Sequence, residues 1–149
     1  MNKQQIVGMY DHLKIHLDHK RKLVNQFPGD KLGYKPVVEA RTAQEIAVHI
    51  YGMLTEATGT VLAAKHVPTT APVLADKAAL LAWIDKQVQT CYTDLNKITD
   101  AQLAVSIEAY GVKFPAWQML SFVYDEVLHH GGQLTVYLRL IGIPPIQVF

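Results

Sequence analysis

The stretch "DEVLHHGGQLTVYLRLIGIPP", residues 125–145, decides the fold, because it can be interpreted either as two elements or as one long helix. Two adjacent glycines, Gly131 and Gly132, commonly mark the end of a helix, and the residues after them alternate between apolar and polar as in a strand. However, apolar residues and one histidine recur every three or four residues through both glycines, at positions 120, 123, 127, 130, 134, 137 and 141. This spacing is that of one helix face and covers a longer segment than the alternation does. The sequence therefore predicts one continuous helix.

The two ends of this predicted helix carry residues that are typical of helix ends. Pro115 suits the first turn, where a missing N–H does no harm. Gly142 suits the C-terminal cap, and Pro144 and Pro145 prevent any continuation. Each glycine within the helix should cost about 1 kcal/mol relative to alanine. We therefore expect the glycine pair to mark a close contact with another helix, which would offset that cost.

Three further segments have helical spacing. The first helix covers residues 3–26. The second begins at Thr42, where "TAQE" predicts a capping box, and we expect it to fray beyond Gly59. The third covers residues 74–97. Residues 98–114 are irregular, although a short hairpin fits "VSIEAYGVKF" because its glycine offers a turn.

Four amphipathic helices joined by connectors predict an all-α protein that folds as a four-helix bundle. The chain of 149 residues has the size of one domain and is long enough to bury a core. We therefore expect residues 1–149 to form a single domain. With 50% hydrophobic and 18% charged residues, its composition is that of an ordinary globular protein.

The charge and the cysteine content exclude several classes of function. A net charge of +1 with scattered basic residues offers no surface for nucleic acid or for an anionic membrane. The single cysteine, Cys91, excludes an intramolecular disulfide and a zinc-finger framework, and its helical spacing predicts a core position. No apolar segment approaches the length of a membrane span, and the first residues do not resemble a secretion signal. We therefore expect a soluble cytoplasmic protein.

Two of the predicted helices each place a histidine where a core residue is expected. His49 lies three residues after Ile46 and four before Met53. His130 belongs to the apolar face of the last helix, and Glu126, four residues earlier, shares that face. Two imidazoles and a carboxylate on facing helices predict a three-ligand metal site with an open coordination position. On spacing alone, a hydrogen-bonded acid–imidazole pair in the core explains the same residues.

The other histidines are weaker candidates for a metal site. Asp125 and His129 are also four residues apart, but they flank the apolar face and are expected at the rim or in solvent. His12, His16 and His19 lie along one face of the first helix, where adjacent pairs could bind a surface metal. All three cannot reach one ion from a straight helix, so we interpret them as a polar face. A fourth ligand from His12 or His16 would make the predicted site structural rather than catalytic.

Two segments of the sequence resemble the DinB/YfiT-like superfamily. "EVLHHGGQLTVYLRLIGIPP" resembles its C-terminal helix, in which a histidine is followed after three residues by "HRGQ", then by "YLR" and "G-x-PP". "TAQEIAVHIYGML" resembles its second helix, which carries one histidine in the middle. The resemblance covers nearly the whole chain and implies an up-down-down-up four-helix bundle that is often dimeric.

The same resemblance implies a divalent metal site. Members of the family commonly bind zinc or nickel through three histidines. His49 and His130 match two of these, and Glu126 stands where the middle histidine is usual. Related mycothiol-dependent maleylpyruvate isomerases use a His–Glu–His set with this spacing. Gly131 replaces the usual arginine, which removes any ion pair of that arginine and loosens the helix locally.

The family also implies what such a site could do. Some members resemble thiol S-transferases that use a low-molecular-weight thiol, others are isomerases, and many are known only as stress-associated proteins. We therefore expect a divalent-metal-binding protein, a thiol S-transferase or hydrolase whose ion activates a water or a thiol. Gln133 and Tyr137 would orient the substrate or the ligands. The alternative is a non-catalytic, stress-associated binding or dimerisation module with an empty or structural metal site, and in both cases we expect a homodimer.

Overall fold

The glycine pair lies inside a single helix in a computed structural model that describes residues 1–147 of the chain. Within those residues, five α-helices and one hairpin follow one another. They are α1 (Lys3–Gln26), α2 (Ala43–Ala63), α3 (Lys77–Lys97), α4 (Asp100–Ala104), the strands β1 (Ser106–Ala109) and β2 (Val112–Pro115), and α5 (Ala116–Leu140). The long helices α1, α2, α3 and α5 form the predicted four-helix bundle. Within the described residues, none of the helices has the length and apolar character needed to cross a bilayer.

The last helix, α5, runs through both glycines without a break, which confirms the prediction of one long helix. Pro115 is its N-cap residue. At the other end, Gly142 has a φ of 81°, and its N–H donates to the Arg139 carbonyl at 3.0 Å. The N–H of Ile143 donates to the Leu138 carbonyl at 2.8 Å. These two bonds form a Schellman cap, which glycine allows because it has no Cβ.

Helices α1 and α3 run in opposite directions. The ammonium group of Lys3, at the start of α1, donates to the carbonyl of Asn96, near the end of α3, at 2.7 Å. The ammonium group of Lys77, at the start of α3, donates to the carbonyl of Phe27, just after α1, at 2.9 Å. The start of each helix therefore lies beside the end of the other.

Helices α1 and α5 run in the same direction. The hydroxyl of Tyr10, in the first half of α1, donates to the carbonyl of Leu120, early in α5, at 3.2 Å. The amide of Gln26, at the end of α1, donates to the carbonyl of Pro144, just after α5, at 3.1 Å. Matching positions of the two helices are therefore neighbours.

Helix α2 runs against α5 and alongside α3. The hydroxyl of Tyr137, near the end of α5, donates to the carbonyl of Arg41, just before α2, at 3.1 Å. Helix α2 is antiparallel to α5, and α3 is antiparallel to α1, which runs parallel to α5. Helices α2 and α3 are therefore parallel to each other. The hydroxyl of Thr55 donates to Oε1 of Gln87 at 2.6 Å and joins them near their midpoints. The order is up-down-down-up, as the family resemblance implies, and the long connector after α2 returns the chain to the start of α3.

Helix α2 provides much of the core, because it packs extensively against both α3 and α5. Its fully buried hydrophobic residues are Ala43, Ile46, Ala47, Ile50, Tyr51, Leu54, Ala57 and Val61. The hydroxyl of Tyr51 donates to the carbonyl of Leu17 in α1 at 2.7 Å. This bond satisfies a polar group that would otherwise be costly to bury.

Two helix boundaries differ from the prediction. Helix α2 continues to Ala63 instead of fraying beyond Gly59, because the last turn is held in the core by the fully buried Val61. Helix α3 begins at Lys77, three residues later than predicted, because the side chain of Asp76 caps it. Both differences arise from contacts at the helix ends, where periodicity carries little information.

The region between α3 and α5 contains more regular secondary structure than predicted. The sequence did not predict α4, a short helix with a capping box that begins at Thr99. The predicted hairpin is present, with Ile107 opposite Phe114, and it adds two short strands to the expected all-α fold. Its turn residues Tyr110 and Gly111 have φ values of 54° and 77°. Positive φ at both positions is typical of a two-residue type I′ turn.

The expected close contact at the glycine pair exists at Gly131 only. A Cβ added to Gly131 would overlap Cε of Lys20 and lie 3.1 Å from its Cγ, because the lysine side chain crosses α5 at this point. Lys20 is 6% exposed, so its aliphatic part is buried between α1 and α5. Gly132 has no neighbouring atom within 4 Å of an added Cβ, so the prediction was wrong for this residue.

We predict that Gly131→Ala lowers the free energy of unfolding by about 1–3 kcal/mol, because the new methyl group overlaps the stem of Lys20. In a Lys20→Ala background the overlap is gone, and the same change should be neutral or stabilise by up to about 1 kcal/mol through helix propensity. Urea unfolding of the four proteins, followed by circular dichroism, measures the coupling. Equal effects of Gly131→Ala in both backgrounds would contradict the contact.

Candidate metal centre

The packing of α2 against α5 brings together the three side chains that the sequence indicated as metal ligands. The Nε2 atoms of His49 and His130 lie 3.0 Å and 2.9 Å from the same carboxylate oxygen of Glu126. The two imidazole rings meet edge to face, with their centroids 4.7 Å apart. One donor atom from each residue lies within 4.8 Å of the other two, so the three could bind one ion.

Helical geometry explains why these side chains converge. Glu126 and His130 are one turn apart on α5, so they point from the same face. His49 projects from the facing side of the antiparallel helix α2. The side chain of His130 is 9% exposed, whereas those of His49 and Glu126 are 30% and 36% exposed. The cluster therefore lies at the boundary between the core and the surface, with His130 as its deepest member.

His130 has more polar neighbours than a neutral imidazole can satisfy. Its Nδ1 lies 2.6 Å from Oε1 of Gln133, an acceptor, so we assign the ring proton to Nδ1. The single lone pair on Nε2 then faces both the carboxylate of Glu126 and Nη1 of Arg41, which is 3.3 Å away. Arg41 can donate to this lone pair, but the carboxylate cannot. A second ring proton would satisfy Glu126 and would place an imidazolium against the guanidinium of Arg41.

Burial and hydrogen bonding keep His49 and Glu126 in the protonation states that metal ligands need. Burial lowers the pKa of His49, against a smaller opposite effect of its hydrogen bond to Glu126. Burial alone would raise the pKa of Glu126, but the hydrogen bond from His49 holds it below its usual value. At neutral pH both side chains are therefore available to bind a cation.

A cleft opens in front of the cluster. Its inner part, beside His130, has a volume of about 520 Å³, and its outer part, along α2, has a volume of about 660 Å³. Arg41, His49, Met53 and Tyr110 line both parts, which are therefore neighbours. Spaces of this size can hold a small molecule.

Glu56 organises the wall of this cleft that lies farther along α2. One of its carboxylate oxygens accepts from the hydroxyl of Tyr110 and, at 3.0 Å, from Nε2 of His66. The other oxygen accepts from the N–H and the hydroxyl of Thr69 at 3.2 Å and 3.0 Å. The carboxylate therefore ties the hairpin turn and the connector after α2 to the bundle. Four hydrogen bonds from three residues converge on this carboxylate, which indicates a structural role.

Two cleft residues, Arg41 and Glu56, were not predicted from the sequence. Glu56 follows His49 by seven residues, an interval of two helical turns that places both on one face of α2. This interval is the sequence feature that could have identified Glu56 as a residue of the cleft. Arg41 precedes the N-cap of α2, where no helical period applies, and its approach to His130 depends on a contact between distant segments.

The remaining histidines lie outside the cluster. His129 is exposed and Asp125 lines the edge of the cleft, as expected. The Nε2 atoms of His12 and His16 are 3.4 Å apart, and both rings pack on Tyr124. Among residues 1–147, His49, Glu126 and His130 are the only group of three or more such side chains close enough to share an ion. Neither His12 nor His16 is therefore positioned to be the fourth ligand that a structural site would require.

Comparisons with known proteins agree with the resemblance of the sequence. The sequence profile of the DinB family matches residues 1–149. Three crystal structures have the same fold, with TM-scores of 0.77 for a DinB-like protein from Bacillus subtilis, 0.73 for one from Bacillus cereus and 0.73 for a DinB family protein from Exiguobacterium sibiricum. Their identities to this chain are 21%, 19% and 23%, so the likeness shows the fold alone.

The aligned regions include nearly all of each protein. They cover 94%, 95% and 100% of this chain, and 95%, 96% and 99% of the Bacillus subtilis, Bacillus cereus and Exiguobacterium sibiricum chains. No functionally curated protein matches the sequence. The comparisons therefore support one family-type bundle along the whole chain.

We predict that Glu56→Gln costs about 1–3 kcal/mol of stability near neutral pH, because glutamine cannot accept all of the hydrogen bonds that the carboxylate accepts. Burial would raise the pKa of Glu56, but hydrogen bonds from His66, Tyr110 and Thr69 hold it below the usual value for a glutamate. A carboxyl group with a lowered pKa stabilises the fold above its unfolded-state pKa. That contribution is lost as the pH falls through the folded-state pKa.

The difference in unfolding free energy between the wild type and Glu56→Gln should therefore be largest near neutral pH and shrink below about pH 4.5. Urea unfolding at a series of pH values measures it. Glu39→Gln is the matched control, because Glu39 is exposed in the same cleft. A difference that grows on acidification, or an equal cost for Glu39→Gln, would contradict the role assigned to Glu56.

Proposed function

This chain belongs to the DinB family, and we propose that it is a divalent-metal-binding protein whose ion is held by His49, Glu126 and His130. The observation that carries the proposal is the convergence of three metal-binding donors at the inner part of a cleft. Two imidazoles and a carboxylate suit zinc and nickel. Three protein ligands leave a coordination position for a water molecule or a substrate.

The hydrogen bonding of His130 supports this assignment. Gln133 accepts the Nδ1 proton at 2.6 Å, which leaves the Nε2 lone pair directed at the cluster. Ligating histidines are commonly oriented in this way by an acceptor behind the ring. A cation on Nε2 would also separate its lone pair from the carboxylate of Glu126. The donor set and its surroundings therefore fit a divalent ion.

We further propose that the site is catalytic, as a thiol S-transferase or a hydrolase. When bound, the ion would lower the pKa of a water molecule or of a low-molecular-weight thiol in the open position. The protein would bind the second reactant in the cleft and keep the His130 ring oriented through Gln133. Tyr137, a candidate for orienting substrate, instead donates to the carbonyl of Arg41 and fixes the segment before α2.

An assay with added thiols separates the two catalytic proposals. The metal-loaded protein would be supplied with an electrophilic substrate, with and without a series of small thiols. A rate that depends on the thiol and consumes it identifies a transferase, whereas a thiol-independent release of product identifies a hydrolase.

The alternative is a non-catalytic, stress-associated module. The distances from Glu126 to His49 and His130 favour it, because a metal-free acid–imidazole cluster would have the same hydrogen-bond lengths. Both alternatives are compatible with a homodimer. Three exposed apolar side chains on α5, those of Leu128, Val136 and Leu140, lie on one helix face and offer a surface for it.

We predict that protein purified without a histidine tag binds about one equivalent of zinc or nickel after reconstitution. His130→Ala should lose most of this metal, because it removes the deepest ligand. His129→Ala is the matched control and should retain it, because the neighbouring His129 is exposed outside the cluster. Elemental analysis after desalting measures the content.

Removal of the metal provides a second measurement on the same proteins. A chelator should lower the melting temperature of the loaded wild type, because the ion binds only the folded state. It should leave that of His130→Ala unchanged. Metal content far below one equivalent in the reconstituted wild type would overturn the proposal and favour the metal-free module.

We predict that Gln133→Leu weakens metal binding by about 10- to 100-fold, because it leaves the Nδ1–H of His130 without its acceptor. The ligands themselves stay in place. Isothermal titration with nickel measures the change, and Gln44→Leu is the control, because Gln44 lines the cleft away from His130. Equal affinities for the two variants would show that Gln133 does not orient the ring.

A further inference from the structure

Arg41 brings a positive charge to the candidate metal centre, and no carboxylate among residues 1–147 forms an ion pair with it. Its Nη1 lies 3.3 Å from Nε2 of His130, and it lines both parts of the cleft. Arg21 shows the usual arrangement, because its guanidinium donates to both oxygens of Asp85 at 2.5 Å and 2.7 Å. The charge of Arg41 therefore faces the cleft.

The backbone around Arg41 is held on both sides. Its carbonyl accepts from the hydroxyl of Tyr137 at 3.1 Å. Two residues later, the N–H of Ala43 donates to the carbonyl of Tyr34 at 3.0 Å. The intervening Thr42 forms the capping box of α2. These bonds fix where the side chain of Arg41 begins, so its position beside the cluster is built into the fold.

Arg41 and a metal ion would compete for the same lone pair. With the Nδ1 proton of His130 donated to Gln133, Nε2 has one lone pair, which can accept from Arg41 or bind an ion but cannot do both. Binding of the ion would therefore leave the guanidinium without its acceptor and beside a second cation. An anion that contacts both cations would restore the balance of charge.

We propose that Arg41 and the metal ion together bind the carboxylate of a small substrate with an apolar body, which makes Arg41 a specificity-determining residue. This inference rests on the proposed metal-binding function. A guanidinium matches the planar geometry of a carboxylate and can donate two parallel hydrogen bonds to it. The protein's own unpaired cation therefore selects the charge and shape of the ligand.

The surroundings favour a carboxylate over a doubly charged anion. Glu39, Glu45 and Glu56 line the cleft, and they oppose the entry of a second negative charge. The other cation of the cleft, Lys35, donates to the carbonyl of Val38 at 2.7 Å. A single guanidinium among acidic groups suits a monoanion.

The rest of the cleft favours an apolar body on that anion. The inner part is lined by Met53 and Phe122, and the outer part is lined by Val48 and Trp83. Contact with these side chains would remove apolar surface from water. Benzoate, which joins a carboxylate to a flat apolar ring, is therefore a suitable probe.

The test measures the coupling between the binding of nickel and of benzoate by isothermal titration. In the wild type, saturating benzoate should tighten nickel binding about 5- to 100-fold, because the carboxylate would contact both the nickel ion and Arg41. In Arg41→Met the coupling should fall to within about twofold of none. Nickel alone should bind this variant as tightly as the wild type or more tightly, because the competing guanidinium is gone.

Two further variants and two further ligands serve as controls for the charge and the shape of Arg41. Arg139→Met removes the same charge from an exposed position on α5 and should keep the coupling. Arg41→Lys keeps the charge but loses the two parallel N–H donors of the guanidinium, so it should retain part of the coupling. It provides a second variant if Arg41→Met does not fold. Benzyl alcohol, a neutral analogue, should show no coupling. Sulfate should couple more weakly than benzoate.

Each outcome decides a separate point. If nickel does not bind the wild type, the proposed metal-binding function fails and this inference fails with it. If nickel binds but benzoate has no effect, or has the same effect in Arg41→Met, the role of Arg41 is overturned while the metal site stands. If sulfate couples more strongly than benzoate, the preference for a carboxylate is wrong.

Discussion

The contact between α2 and α5 is the interaction on which both the core and the candidate metal centre depend. Helix α2 is buried on several sides, and its antiparallel packing against α5 sets His49 opposite Glu126 and His130. The same packing brings the segment before α2 to the end of α5, where Tyr137 holds the carbonyl of Arg41. A shift of either helix by one turn would separate the donors by about 5 Å. The site is therefore as precise as the helix packing that carries it.

The two carboxylates of the cleft differ in a way that helps to assign their roles. Glu56 accepts from Tyr110, His66 and Thr69, and these donors satisfy it within the protein. Glu126 instead faces only two imidazoles within the described residues, and its side chain is 36% exposed at the cleft. Buried polar groups are normally satisfied. The carboxylate with fewer donors within the protein and with access to the cleft, Glu126, is therefore the better candidate for binding an ion.

Much of the fold could be predicted from the sequence, because the spacing of apolar residues and the capping residues indicate each helix locally. The period of α5 continues through Gly131 and Gly132, and the capping box at Thr42 marks the start of α2. The spacing of Glu126 and His130 is also local, since both lie on one helix. These features depend on neighbours within about one turn.

Other features could not be predicted, because they depend on contacts between distant segments. Gly131 and Gly132 look alike in the sequence, yet only Gly131 meets the stem of Lys20 from another helix. Arg41 has no periodic relation to His130, which lies 89 residues later in the sequence. Charge and exposure at such positions follow from how the helices are arranged.

The sequence by itself determined four amphipathic helices, the caps of α2 and α5, and three side chains whose chemistry suits a divalent ion. The tertiary structure alone decided that His49 meets Glu126 and His130, that Glu56 and Tyr110 line the cleft, and that Arg41 points at the cluster. The physical reason is the range of the interactions. Periodicity and capping act over a few residues, whereas His49 and Glu126, 77 residues apart in sequence, are brought together by the burial of one helix against another.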